Sequence, residues 1–450
     1  MYEIKYRKDD EMVDSGVEWL QAIPKEWITR RIQQYFSVRK DKVCDKDYIP
    51  LSVTKSGIMK QLENVAKTNN GSNRKKVLTG DFVINSRADR KGSCGVSPYD
   101  GSVSLICHVL APKHNICPFY AHYLFRNYYF SEEFFRWGTG IVDDLWSTNI
   151  ERMKKINVPI PYFFEQQKIS NFLDIKTAQF DSIIVKKELL IKKLEEAKKS
   201  LIAEVVTGKV KIVDGKFVKR KSEEMKESKT IYGIIPIRWI TSRLKFISTI
   251  KARIGWKGLK ASEYVDKGYF FLSTPNIKNR NIDFENVNYI SKKRYIESPH
   301  IKLKKGDILL TKDGSTLGTV NIIRDLKSEG TVNSSIAIIR SKHEINSLYV
   351  YYLILSNYTQ NNISIVKDGM GVPHLFQKDI KEFDVIIPSD VEMSKIVEFL
   401  DCSTLEIECI VNKIKNQIQK LKQAKQSLIS EAVTGKIDLR DWQIVKGESI

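Results

Sequence analysis

Ala197-Lys-Lys-Ser-Leu-Ile-Ala-Glu-Val-Val-Thr-Gly-Lys209 returns 227 residues later as Ala424-Lys-Gln-Ser-Leu-Ile-Ser-Glu-Ala-Val-Thr-Gly-Lys436. Followed upstream without a gap, residues 165–209 lie over 392–436 with 22 of 45 positions identical, too many for chance at one fixed spacing. Within the first copy, Leu173, Phe180, Ile184, Ile191, Leu194, Leu201 and Val205 fall mostly three, four or seven residues apart, with Lys and Glu between them. Ile396, Leu400, Ile410, Ile414, Leu421 and Leu428 repeat the stripe. This period predicts two amphipathic helices. Each closes at Thr-Gly-Lys, where Gly208 or Gly435 can take the left-handed conformation that ends a helix. A helix of about 41 residues is roughly 60 Å long, and so narrow a stripe suits one partner helix better than a broad core. The other copy is the partner at hand. Antiparallel pairing is expected, with a globular module at each end and a pseudo-twofold axis between them.

The repeat also has a beginning. Ile23-Pro-Lys-Glu-Trp-Ile-Thr-Arg-Arg-Ile32 matches Ile235-Pro-Ile-Arg-Trp-Ile-Thr-Ser-Arg-Leu244 at a spacing of 212. Between opening and helix the frame survives in pieces: Gly80-Asp-Phe-Val-Ile84 over Gly306-Asp-Ile-Leu-Leu310, and Val158-Pro-Ile-Pro161 over Val385-Ile-Ile-Pro388. Two long repeats argue for a duplicated domain and against a solenoid. A kept frame around a divergent interior describes two modules doing one job on different targets. Short β-branched runs such as Asp81-Phe-Val-Ile-Asn85 and Ser335-Ile-Ala-Ile-Ile339 read as strands. Phe119-Tyr-Ala-His-Tyr-Leu-Phe125 and Leu348-Tyr-Val-Tyr-Tyr-Leu-Ile354 have helical character. The expected class is α+β: a first mixed module at 1–160, a central long helix at 161–209, a polar and weakly ordered linker at 210–230, a second module at 231–388, a C-terminal long helix at 389–436 and a tail at 437–450.

The chain's 450 residues and 42% apolar content allow real cores. Its 74 basic against 54 acidic residues give a net charge of +20, which draws a polyanion and makes nucleic acid the first candidate partner. The competing reading of that charge is a Lys-rich surface that merely keeps the chain soluble. The six cysteines form no Cys-x-x-Cys pair and no zinc set, so they read as reduced thiols in a cytoplasmic protein. With no apolar signal core and no uncharged apolar run of about 18 residues, neither export nor a membrane span is expected.

The signatures of catalysis are missing. No Asn/Asp-Pro-Pro-Tyr/Phe string is present to receive a flipped adenine, and Ser97-Pro-Tyr-Asp100 lacks both the second proline and the leading amide. Both Thr-Gly-Lys triplets lack the upstream glycine of a phosphate-cradling loop. Glu224-Met-Lys226 has nuclease-like spacing but sits in the polar stretch without a partnering Pro-Asp.

Two variable modules alternating with two nearly identical long helices resemble the specificity subunit of type I restriction-modification systems. The Pro-x-x-Trp openings, the Val-Pro-Ile-Pro type exit and the Ser-Leu-Ile-x-Glu-x-Val-Thr-Gly-Lys helix ends carry the resemblance across essentially the whole chain. It implies a non-catalytic subunit in which each module is a target recognition domain for one half of a bipartite, asymmetric DNA site, with the helices as a ruler. Two methyltransferase subunits using S-adenosylmethionine, and a motor and nuclease subunit using ATP and magnesium, are then the expected partners beside double-stranded DNA. No cofactor is expected in this chain. The helix charges Lys198, Glu204, Lys425 and Glu431 are candidate methyltransferase contacts. The rival reading is a self-contained DNA methyltransferase with fused recognition domains, against which stands the lack of any unassigned stretch to hold a catalytic domain.

Base reading calls for Arg, Lys, Asn, Gln, Ser or Thr on a rigid element beside phosphate-gripping cations. Three places in each module supply that chemistry. After the central strand come Asn85, Ser86, Arg87, Arg90 and Lys91, matched by Thr311, Lys312, Ser315 and Thr316. A basic residue followed by Gly-x-Gly occurs as Arg136, Gly138 and Gly140, and again as Lys367, Gly369 and Gly371. A weaker stretch holds Lys55 and Ser56 in the first module and Asn276, Lys278 and Arg280 in the second. For the first place the alternative is an ordinary exposed strand turn, and for the second a lone Gly-x-Gly is a weak signal that its repetition strengthens. Trp27 and Trp239 are expected to pack module against helix, His114 and His343 to lie in surface turns, and Cys402 and Cys409 to pack along one helix.

Overall fold

The computed structural model describes residues 4–62, 71–140, 146–252, 259–278, 282–342, 344–367 and 373–443. The chain divides into two compact units, Met1–Glu188 with Lys415–Ile450, and Leu189–Ile414. Each unit holds one mixed module together with part of both long helices, Phe163–Val206 and Asp390–Val433.

In the first unit a four-stranded antiparallel sheet runs in the order Cys94–Val96, Phe82–Asn85, Cys107–Pro112, Phe36–Val38. Phe82 and Leu110 on its buried face meet Phe125 and Phe130 of the helices Pro118–Arg126 and Tyr128–Arg136. The second unit repeats the order with Val320–Ile322, Ile308–Thr311, Ile336–Ser341 and Ser248–Ala252, covered by Ser347–Leu355 and Asn357–Val366. The Gly-Asp pair kept in both modules opens the central strand for a physical reason. Arg39 grips the Asp81 carboxylate through two nitrogens at 2.7 and 3.1 Å, and Arg340 grips Asp307 at 2.6 and 2.7 Å. Most of the extra length of the second module falls before Gly306. Beside its central sheet this module has a four-stranded sheet of Tyr264–Val265, Asn288–Ile290, Tyr269–Leu272 and Gly330–Val332, where the first module has three strands, Gly101–Val103, Arg74–Val77 and Lys42–Val43.

Everything the two copies share converges on the foot of its module. The opening strand Ile28–Arg31 pairs antiparallel with the exit strand Asn157–Ile160, and Ile240–Arg243 pairs with Asp384–Ile387. Trp27 donates its indole N–H to Glu165 at 3.0 Å, and Trp239 donates to Glu392 at 2.9 Å. An arginine completes each set: Arg7 reaches Glu165 at 2.6 Å, and Arg220 is bonded to Glu392. The helix ends dock on the same corner. Gly435 and Gly208 both have positive φ, 76° and 69°. A Cβ on Gly435 would stand 2.5 Å from Pro24 and 2.9 Å from Trp27, and one on Gly208 would collide with Pro236 and stand 2.9 Å from Trp239. Tyr120 lies 3.0 Å from the Pro159 carbonyl and 3.2 Å from that of Val433, so its one hydroxyl proton serves the exit strand and an orphan carbonyl at a helix C-terminus. Tyr349 does the same for Ile386 and Val206 at 2.8 and 3.4 Å.

The helices run antiparallel within each unit. Asp181 meets Lys425 at 2.7 Å and Lys187 meets Gln417 at 2.8 Å in the first unit, one number rising as the other falls. Lys198 and Glu408 are ion-paired in the second. Two expectations change. Residues 210–230, read as a weakly ordered linker, form a hairpin from Val210–Val213 and Lys216–Lys219, then a strand Met225–Glu227 paired with Ile234–Pro236. Asp214 and Gly215 take φ of 48° and 73°, the left-handed pair that turns a tight hairpin, while the many lysines disguise the strands. The start of the tail is likewise part of the first core: Ile437, Leu439 and Trp442 are buried, with Trp442 edge-on to Phe172 at 5.6 Å.

Replacing Gly435 or Gly208 by Ala is expected to lower stability by ~2–4 kcal/mol, combining left-handed strain with the collision against Pro and Trp. Gly215→Ala, equally left-handed but with open space around it, should cost only ~1–2 kcal/mol. Urea unfolding followed by tryptophan fluorescence separates the two cases, and equal losses at all three sites would refute the packed corner.

Candidate nucleic-acid interface

The central strand of the first module ends at Asn85, whose side-chain oxygen accepts the Arg87 N–H at 3.1 Å and bends the chain out of the sheet. A single turn, Ala88–Arg90, and left-handed Gly92 lead back to the next strand. This turn and the glycine loop, apart in sequence, are stitched together by residues 146–148. Ala88 N–H donates to the Trp146 carbonyl and Thr148 N–H to that of Ser86, both at 3.0 Å, while Ser147 and Thr139 exchange bonds of 3.0 and 3.1 Å. His108 anchors the stitch from the neighbouring strand, its Nε2 at 2.7 Å from the Thr148 carbonyl, and burial pushes its pKa down. A carbonyl only accepts, so Nε2 carries the proton.

Side chains along this surface differ in availability. Arg87 is exposed and makes no ion pair among the described residues. Arg90 is exposed beside Asp89 at 3.4 Å, and Ser86 is half-buried. Lys91 is tied to Glu132 at 2.6 Å and lies 4.6 Å from the Phe135 ring centre. Arg136 is held by both Glu133 and Glu18, so its charge is balanced within the chain. Gly138 has a packing reason: a Cβ would come within 2.6 Å of the Trp146 ring. Gly140 is exposed.

The second module builds the same joint. Leu375 N–H donates to the Lys312 carbonyl at 2.8 Å and Gly314 N–H to that of Pro373 at 3.1 Å, with Asp313 bridged to His374. Ser315 and Thr316 are exposed on the turn, and Lys367 is exposed at the end of its helix. Lys312 departs from expectation: its side chain is only 11% exposed and its amine sits 3.1 Å from Asp313. Gly369, Gly371, Arg280 and His343 lie outside the described residues. Asn276 is corrected to a structural role. It is 4% exposed, accepts from Ser273 and donates to the Asn286 carbonyl at 2.7 Å, leaving its amide no free edge for a base. Lys278 is exposed, and its bond to Asp283 at 2.8 Å is the main reason that carboxyl falls far below the usual range.

Lys198 and Lys425 serve the helix pair, bonded to Glu408 and Asp181. Glu204 and Glu431 accept from Ser200 and Ser427 one turn earlier on their own helices. Cys402, Cys409 and His114 are exposed, and Glu224 is an intrachain acceptor for Lys211 and the Lys221 N–H. Among the described residues no group of three or more His, Cys, Asp or Glu could hold a metal, and no helix is long and apolar enough to cross a membrane. The residues that sequence reasoning missed are Ser147, Asp313 and His374. Aligning the modules on Gly80 and Gly306 sets Arg87 over Asp313, which was the available signal.

The family profile described as "type I restriction modification DNA specificity domain" matches twice, at residues 24–196 and 236–420, so each match covers one module and most of the helix that follows it. The chain belongs to this specificity family. The specificity subunit of the type I restriction enzyme MjaVIII from Methanocaldococcus jannaschii is 25% identical over 326 residues, 71% of each chain. That of EcoBI from Escherichia coli is 24% identical over 300 residues, 65% of this chain and 61% of that one. A solved chain from a study of complex assembly and conformational transition in a type I restriction-modification system superposes with a TM-score of 0.64. Its 14% identity, over 92% of this chain and 99% of that one, speaks for the fold alone. Family membership makes this specificity chain a non-catalytic DNA-recognition subunit, and the self-contained methyltransferase is not favoured.

If the exposed turn grips phosphate through Arg90, Arg90→Ala should reduce the slope of log affinity against log salt by about 0.9. Arg136→Ala, removing a charge already balanced by Glu133 and Glu18, should leave that slope nearly unchanged. A salt titration of duplex binding reads both, and the reverse order would contradict the assignment.

Proposed function

We propose that the two modules read the two halves of a bipartite, asymmetric duplex site and so direct partner subunits to it. One observation carries this reading: in each module the turn at the end of the central strand is bonded to a second segment through the same backbone pattern, but with different side chains on it. Direct readout needs such an arrangement, a rigid backbone holding exchangeable donors and acceptors beside exposed cations. The DNA contacts proposed for the first module are Asn85, Ser86, Arg87, Arg90 and Lys91, with Arg136, Gly138 and Gly140 as the supporting loop. Those for the second are Ser315, Thr316 and Lys367, with Lys278 at its margin and Lys312 held behind them by Asp313. The net charge of +20 supports capture of the duplex before any sequence is read.

The partners proposed are two adenine methyltransferase subunits, which bring S-adenosylmethionine, and a motor and nuclease subunit, which brings ATP and magnesium. Chemistry belongs to them, and the chain contributes address and alignment. Mapping N6-methyladenine across the genome of cells expressing the chain with its methyltransferase partner, against cells with the partner alone, tests this. A new gapped, asymmetric motif methylated on both strands is expected. Methylation that does not depend on the chain, or that follows no gapped motif, would overturn it.

A further inference from the structure

Arg87 and Ser147 form a backbone rung in the first module, and Asp313 and His374 form the corresponding rung in the second, at offsets of 226 and 227 residues. The hydrogen bonds on either side are the same. Thr148 to Ser86 answers to Leu375 to Lys312, and Ala88 to Trp146 answers to Gly314 to Pro373, all between 2.8 and 3.1 Å. Several positions of the repeat keep both backbone and side chain, as do Asp81 and Asp307, Tyr120 and Tyr349, or Asp174 and Asp401. At this rung the backbone is kept and the chemistry is exchanged, a cation and a hydroxyl for a carboxylate and an imidazole.

We propose that this rung is the specificity-determining position of each module: Arg87 reads a guanine in one half-site, and Asp313 reads an exocyclic amino group, on cytosine N4 or adenine N6, in the other. The inference rests on the recognition function proposed above and assigns residues to it. Arg87 is exposed and without an ion pair among the described residues, and Asn85 fixes its backbone. Its forked donors match the two acceptors, O6 and N7, on the major-groove edge of guanine.

Asp313 looks out of place on a surface that approaches phosphates, since a bare carboxylate would be repelled. Its surroundings remove that objection. The Lys312 amine stands 3.1 Å away and is largely withdrawn from solvent, and His374 Nδ1 bonds the other carboxylate oxygen. A carboxylate accepts, so Nδ1 carries the proton and the carboxylate is held in one orientation. Phe376 braces the imidazole edge-on, ring centres 4.4 Å apart. Asp313 keeps lone pairs free and its side chain is 23% exposed, enough to accept from an amino group.

The test starts from the motif found with the wild-type chain. Its absence would count against the recognition function itself, before any variant is made. Arg87→Gln and Asp313→Asn are then compared with wild type, as complexes with the methyltransferase partner, on duplexes carrying every single-base change of that motif. Arg87→Gln is expected to lose preference at one G·C pair of one half-site by roughly 5- to 150-fold, with the other half-site unaffected. Asp313→Asn should change one position in the opposite half. Unaltered preference at every position, an even loss across all duplexes as from a phosphate contact, or changes in both half-sites from one variant would overturn the assignment.

Discussion

Each module rests on the meeting of a proline, a tryptophan and the glycine that ends a long helix. Pro24 and Trp27 leave no space for a side chain at Gly435, and Pro236 and Trp239 leave none at Gly208. The tryptophan indole is bound to a glutamate in the first turns of the other long helix, and an arginine locks that glutamate. One corner therefore ties together the opening strand of a module, the start of one helix and the end of the other. Arg7 shows how much depends on it, since its side chain is fully buried and Glu165 is its nearest charge partner at 2.6 Å. Removing one member of such a pair strands a charge away from water, and typically costs about 3–5 kcal/mol.

That constraint explains which parts of the two copies stay alike. Residues that build the corner, the exit strand and the tyrosine clasp on the helix ends recur nearly unchanged because each touches several of the others. Away from it the second sheet has three strands in the first module and four in the second, and most of the extra chain enters between the opening and the central strand. At the far end of the central strand, the backbone joint persists while its side chains differ. The contacts kept in both copies gather at the corner, while the joint keeps its backbone and exchanges its side chains.

How legible this was in the sequence follows from how local each signal is. The long helices announce themselves through period and terminal glycine, and the Pro-x-x-Trp openings through repetition. Arg7 and Arg220 escaped because a single-residue shift separates their spacing of 213 from that of the openings, breaking the alignment just upstream. The hairpin at 210–219 was hidden by its lysines, although its Asp-Gly turn was visible. Asn276 has the right chemistry for a base, but its burial depends on residues ten positions away and cannot be read from neighbours. Two loops read as separate candidates proved to be one surface, because the stitch that joins them is made of backbone bonds with no sequence signature. Arg136 and Lys312 show the remaining limit: a basic residue in a suitable loop is available only if no carboxylate has taken it, and that is a tertiary fact.

The central claim, that each module determines one half of the site independently on a shared frame, is tested most directly by exchange. Replacing residues 15–160 with the corresponding module of another family member, and mapping adenine methylation in cells that carry the partner subunits, should change one half of the gapped motif. The other half and the gap should stay as they were. A hybrid that folds and methylates but alters both halves, or neither, would contradict the account.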